Sequence, residues 1–385
     1  MRIITKEEVL AHRLRAHHLD TAITSLEVAS STCGFQNSPP GTWLCAAFNR
    51  LQEVTAKQLR EQLDKQQGVM QAWSLRGAPW IFPVKDAAVF LDALCAKQDE
   101  SWIYAGGLKH CQQDMKVPFE LLLKELMECL RMLKQEPVIS KQRLDTLLAQ
   151  AMQERIPASL RTLWNSPSPY AAGQLFGEAI VSFLLRPASF QRGIIFGPRQ
   201  KASPLFTSFP DHITENPYTY EEACQSLVCR FLHAYGPSDV KGFAKWTGMD
   251  PAQARRLWML AEDECLRVLY EGKECVIWKQ DTYTESITDR TMLLPAHDPY
   301  LDIHDRSLLL EDCRLQRLVW KTVQNPGAVI KNGRLCGIWK SRKRRHGIEL
   351  EIILFEAISN EDIKHWTHSY EQFLEQEVSI VYTQL

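Results

Sequence analysis

The feature that most constrains this chain is a grammar written three times along it. Two or three helical segments are followed each time by two short strand-like runs around a turn. A helix-turn-helix with a β-hairpin behind it is the winged-helix order. The third copy, roughly 218–280, reads most clearly. Ala223, Leu227, Val228, Phe231 and Leu232 recur at helical spacing, and Gly236-Pro237-Ser238 breaks the run. A short helix is expected over Val240–Trp246, ended by Thr247-Gly248. Asp250-Pro251-Ala252-Gln253 then reads as a helix start, with Asp250 as cap, Pro251 at the first helical position and Gln253 closing a capping box. Ala254, Leu257, Leu260 and Ala261 face inward, and strands over Leu266–Tyr270 and Cys275–Trp278 flank Glu271-Gly272-Lys273.

The second copy, roughly 117–200, predicts a Leu-rich helix over Phe119–Leu133 and a helix capped by Ser140. A third helix is expected over Tyr170–Val181, with wing strands at Phe183–Leu185 and Gly193–Phe196 around Arg186-Pro187. The first copy, roughly 1–95, predicts helices over 6–17 and 20–31, the loop Cys33–Gly41, a helix over Thr42–Arg50, and a capping-box start at Thr55-Ala56-Lys57-Gln58. Two strands then flank Arg76-Gly77. Beyond about 290 the pattern changes. Strands are expected at Val329-Ile330, Leu335–Trp339, Ile348–Phe355 and Val378–Tyr382, with one helix near 361–375, as in a small β-barrel closed by a helix. The fold class is therefore α+β: tandem winged-helix units over 1–95, 96–205 and 206–285, then a C-terminal β-barrel-like domain over 286–385.

Composition sets the class of partner. With 385 residues, 45% hydrophobic and 24% charged, the chain is a folded protein of several domains. It has no apolar run of about 18 residues and no apolar signal core after Met1-Arg2, so a cytoplasmic protein without a membrane span is expected. Eleven cysteines include no Cys-x-x-Cys pair, and His17-His18 has no partner at ligand spacing, so neither metal nor cofactor is expected. Net charge is −1, so a nucleic-acid binder of this composition must gather its cations on one surface. The densest run, Lys340-Ser341-Arg342-Lys343-Arg344-Arg345-His346, lies between two strand-like segments, where a hairpin tip can reach phosphates. Most of the tryptophans alternate with apolar neighbours and are expected in the core.

Several strings, in register, resemble the AlkZ/YcaQ-like family of DNA glycosylases. Cys33–Gly41 resembles the loop carrying its catalytic glutamine motif, and Ser74–Ile81 its Arg-Gly-Thr-x-His segment. Leu293–Leu301 with Asp305-Arg306 resembles the start of its C-terminal domain, and Asn325–Val329 with Asn332–Lys340 its closing strands. The resemblance implies three winged-helix units and a β-barrel around a concave surface for double-stranded DNA, in a monomer. It implies Gln36 as a catalytic residue, with Asn37 and Ser38 beside it; the basic hairpin run and the Arg76-Gly77 turn make Arg76, Lys340, Arg342, Lys343, Arg344 and Arg345 the expected DNA-binding cations. Family members that are active carry Gln-x-Gln or Gln-x-Asp. Here Ser38 stands second, Ala78 replaces Thr and Trp80 replaces His.

A base alkylated at a ring nitrogen is cationic and leaves readily. The protein must then position a water and stabilise an electron-poor sugar, which an amide such as that of Gln36 can do. From residue types alone, Gln36-Asn37-Ser38 is a helix cap before Pro39-Pro40, and Asp298 is a turn residue bonding backbone amides. The alternatives are a non-catalytic DNA-binding protein or transcriptional regulator using a recognition helix, and a protein-interaction module.

Overall fold

The computed structural model describes residues 1–383 apart from 105, 202, 212 and 214–216. Within the helix Gly106–Met115 it leaves out the side chains of 106, 108 and 110–112. The fold is mixed α+β, with three sheets among the described residues.

The third section follows the local chemistry of its sequence. Thr219 and Glu222 close a capping box on the helix Tyr220–Tyr235. Asp239 caps Val240–Thr247, which ends on Gly248 in the left-handed region at φ 78°. Asp250 accepts from Ala252 N at 2.8 Å at the start of Pro251–Leu260. Leu257 is fully buried on that helix. The strands Cys265–Tyr270 and Lys273–Trp278 pair antiparallel around Glu271-Gly272. Gln253 differs from expectation. Instead of closing a capping box, its fully buried side chain donates to the carbonyls of Leu94 and Cys95 at 3.1 and 3.2 Å, tying this helix to the first section.

The first section carries helices at Lys6–Ala16, Leu26–Ser31, Thr42–Phe48 and Ala56–Asp64, with Ser25 capping the second and Thr55-Gln58 closing a capping box on the fourth. Residues 20–25, expected to be helical, are not. The strands Val69–Trp73 and Pro79–Pro83 pair around the Arg76 turn. The N-terminal strand Arg2–Ile4, absent from the sequence reading, leaves this section and pairs in parallel with Cys265–Tyr270.

In the second section the expected strand at Phe183–Leu185 does not form. Phe176–Phe190 is one helix with Pro187 inside it, and the hairpin is Ile195–Gln200 with Ser203–Thr207. Ile180, Val181, Leu184 and Leu185 of that helix are fully buried, and its partly exposed side is the narrow stripe Glu178, Ser182 and Arg186. The hairpin joins that of the first section through the pair Gln71 and Phe196, and a single six-stranded sheet results.

The C-terminal section holds a five-stranded sheet in the order Thr291–Leu294, Gly327–Lys331, Arg334–Arg344, Gly347–Leu354, Glu377–Tyr382. Its two end strands do not pair, so the sheet is open rather than a closed barrel. The helix Asn360–Leu374 packs on it with Ile363, Trp366 and Phe373 buried. No described helix is long and apolar enough to cross a membrane. One apolar core runs through the first, third and C-terminal sections, while the second section has its own. Trp73, Trp80, Trp246 and Trp339 are core residues, as expected.

Buried ion pairs, none readable from spacing, join these sections. Arg50 and Asp298, at most 1% exposed, meet through two bonds of 2.9 and 2.8 Å. Arg13 reaches Asp305 at 2.9 Å, and Arg230 grips Asp86 through two bonds of 2.8 Å. Asp298 has the turn role read from sequence, accepting from Tyr300 N at 3.0 Å, with the Arg50 pair added. His17 is buried, its Nε2 3.2 Å from the Ala234 carbonyl, and burial pushes its pKa well below the usual histidine value.

Candidate active site

The loop begins with the two-residue strand Phe35–Gln36, where Phe35 pairs with Ile81 and Gln36 with Trp80. Successive strand residues point to opposite faces. Phe35 is buried in the core, which turns Gln36 outward, and Gln36 is half-buried. Asn37 is 3% exposed and spends its side chain inside the protein. Its Nδ2 donates to Gln71 Oε1 at 3.0 Å and its Oδ1 accepts from Gly41 N at 2.6 Å. Asn37 therefore shapes the loop from inside the protein. The Ser38 hydroxyl makes no hydrogen bond among the described residues, and Ser38 does not line the cavity at Gln36.

Arg76 sits at φ 55° on the turn between its two strands. Its guanidinium lies 5.5 Å over the Trp80 ring. Nη1 donates to Trp246 O at 2.6 Å, and Nη2 donates to Gln36 Oε1 at 3.2 Å and lies 2.7 Å from Asp302 Oδ2. Gly248 passes so close that a Cβ there would sit 3.0 Å from the Arg76 Cα, and its positive φ also favours glycine. The sequence places Arg76 on DNA. In the structure it holds the Gln36 amide and joins the first section to the third and C-terminal ones.

Gln36, His297, Leu301, Asp302, Arg306, Val319, Trp320, Asn325 and Pro326 enclose a cavity of about 140 Å³. At about 30 Å³ per liquid water this is room for a few waters. Burial holds the His297 imidazole below its usual pKa. The Asn325 Oδ1 is buried with no hydrogen-bond partner, and Arg306 lies 5.0 Å over the Trp320 ring. Asn325 and Pro326 also line a groove of about 610 Å³ that runs from Pro39–Thr42 to Lys340 and Ser341. The Gln36 cavity therefore adjoins the base of the basic hairpin.

The basic run does not sit between two strands. The strand Arg334–Arg344 carries it out past Trp339, and the turn falls at 345–346. Residues 340–346 are all exposed. Arg342 pairs with Glu351 at 2.8 Å and Arg344 with Glu349, so these two cations are partly neutralised across the hairpin. Lys340, Lys343 and Arg345 make no ion pair among the described residues, and alternation puts Lys343 on the face opposite Arg342 and Arg344. Of the cavity groups, sequence reasoning found Gln36 and passed over Asp302, His297, Arg306 and Asn325. They converge on Gln36 from more than 250 residues away, where no spacing rule applies.

An interstrand DNA cross-link repair glycosylase of Streptomyces sahachiroi is 23% identical over 359 residues, covering 86% of this chain and 87% of that protein. The solved structure of the Streptomyces sahachiroi DNA glycosylase AlkZ superposes with a TM-score of 0.76 at 16% identity, covering all of both chains. The family model of the AlkZ-like DNA glycosylases matches residues 29–379, so this chain belongs to the AlkZ-like DNA glycosylase family.

Proposed function

We propose that this chain is a DNA glycosylase that hydrolyses the bond between deoxyribose and an alkylated or crosslinked base in double-stranded DNA. It works as a cytoplasmic monomer without a cofactor. The helix–helix–hairpin order of each section supports the tandem winged-helix reading, with units over 1–95, 96–205 and 206–285 and a half-barrel after 286. The observation that carries the proposal is Gln36. An outward amide, fixed by Arg76, borders a cavity with room for a few waters next to a groove leading to exposed cations.

Arg76 occupies one acceptor site of Gln36 Oε1. The second lone pair and both amide hydrogens remain to orient a water. Lys340, Lys343 and Arg345 supply phosphate contacts, with Arg342 and Arg344 joining once their glutamates release them. The reading of a DNA-binding protein without catalysis draws on Ser38, which stands outside the cavity.

The test is release of base from DNA bearing N7-methylguanine. Gln36→Ala should slow single-turnover release by roughly 100-fold, as loss of one preorganised hydrogen-bonding group does, with DNA affinity unchanged. Absence of release by the wild-type chain from alkylated and crosslinked DNA would leave only the binding reading.

A further inference from the structure

The loop Cys33–Gly41 contains no acid, so it offers Gln36 no group able to take a proton from water. An amide and a hydroxyl can orient water but are poor bases. Among the described residues, the one carboxylate lining the Gln36 cavity is Asp302. Its Oδ2 and the Gln36 Oε1 sit on the same nitrogen, Arg76 Nη2, at 2.7 and 3.2 Å. The two oxygens are therefore no farther apart than the sum of these distances. Asp302 Oδ2 is buried, and no donor meets it with hydrogen-bond geometry; Arg76 stands beside it as a charge. A buried carboxylate oxygen paired with Arg76 at 2.7 Å has a further lone pair for a water in a space that holds a few, which makes it a site for a water proton.

We infer that Asp302 is the catalytic carboxylate of this site, taking the proton of the water that Gln36 orients. This rests on the glycosylase reading above. In the step, the water oxygen bonds to C1′ of the deoxyribose. The C1′–N bond breaks, its electron pair goes to the cationic base, and that base leaves neutral. The water proton passes to the Asp302 carboxylate. Before transfer, the same negative charge faces the electron-poor sugar and stabilises it. His297 borders the cavity too, but a neutral imidazole supplies no such charge, and no hydrogen bond among the described residues joins it to Gln36. Arg76 is then a positioning residue that holds amide and carboxylate in register.

The experiment measures single-turnover release of N7-methylguanine by the full chain carrying Asp302→Asn, alongside DNA affinity and thermal melting. The expected result is a loss of about 100-fold or more, the usual contribution of a general base, with affinity within twofold of wild type. In Asp302→Ala, added formate should restore part of the rate, which it would not do for a purely structural aspartate. Several results overturn the assignment while leaving the glycosylase reading intact. These are a wild-type rate in Asp302→Asn, a slow Asp302→Ala indifferent to formate, or a rate lost in His297→Gln but kept in Asp302→Asn. No release by wild type overturns both.

Discussion

Removing the Asp298 carboxylate tests whether buried ion pairs clamp the C-terminal section onto the first. Asp298→Ala deletes two bonds to Arg50 at 2.9 and 2.8 Å and the one from Tyr300 N. Arg50 is 1% exposed. It keeps only a 2.8 Å bond to the Ala46 carbonyl and its position 5.4 Å over the Phe35 ring. Leaving a buried charge without its partner costs about 3–5 kcal/mol. Asp298→Asn retains an acceptor for Tyr300 N and loses the charge, at about 1.5–3 kcal/mol. The double variant Arg50→Met with Asp298→Leu removes both charges and should cost less than Asp298→Ala, because no desolvated ion is stranded. Urea unfolding followed by tryptophan fluorescence and circular dichroism reads these differences, provided the slope with urea is unchanged. A cost below about 1 kcal/mol for Asp298→Ala, or a double variant as unstable as the sum of the singles, would refute the reasoning.

Two further outcomes follow from the charge arrangement. Replacing Lys340, Lys343 and Arg345 with alanine should weaken binding to all duplex sequences alike and flatten its salt dependence more than replacing Arg342 and Arg344, which already hold glutamates; equal slopes in the two triply and doubly substituted proteins would contradict this. In the second section, burial raises the Asp145 pKa from 3.8 to about 6 against the pull of Lys141. A raised acid stabilises the fold below its unfolded value, so this contribution should fade between about pH 4 and 6, and Asp145→Asn should remove that part of the pH dependence of melting.

The third section was legible because its signals are local. Asp250-Pro251 starts a helix, Gly248 ends one, and Glu271-Gly272, both at positive φ, turn a hairpin. The end of the Phe176–Phe190 helix was misread because its polar stripe is narrow, Glu178, Ser182 and Arg186, and Pro187 looked like a turn. The N-terminal strand had nothing local to announce it, since its partner lies at Cys265–Tyr270. The same division holds at the site. Gln36 was found through its loop, and the strand pairing of Phe35 explains its outward direction. Asp302 could not be found from spacing, because its relation to Gln36 exists only through Arg76.

That dependence bears on how a chain of net charge −1 handles DNA. Its 45 basic residues stand against 46 acidic ones, so a positive surface must come from where cations are left over rather than from how many there are. Arg13, Arg50, Arg76 and Arg230 are committed to Asp305, Asp298, Asp302 and Asp86, each pair joining separate sections of the fold. Arginine suits this use because its planar fork forms paired bonds in buried places. Such pairs remove equal numbers of both signs from the surface and hold the sections around the Gln36 cavity. On the proposed reading, the field a duplex meets is then set by cations without an ion pair among the described residues, above all Lys340 at the groove and Lys343 and Arg345 farther out on the hairpin. A short row of free cations gives modest, sequence-independent attraction. On the proposed reading, that leaves the selection of rare damaged bases to the cavity at Gln36 rather than to the strength of binding.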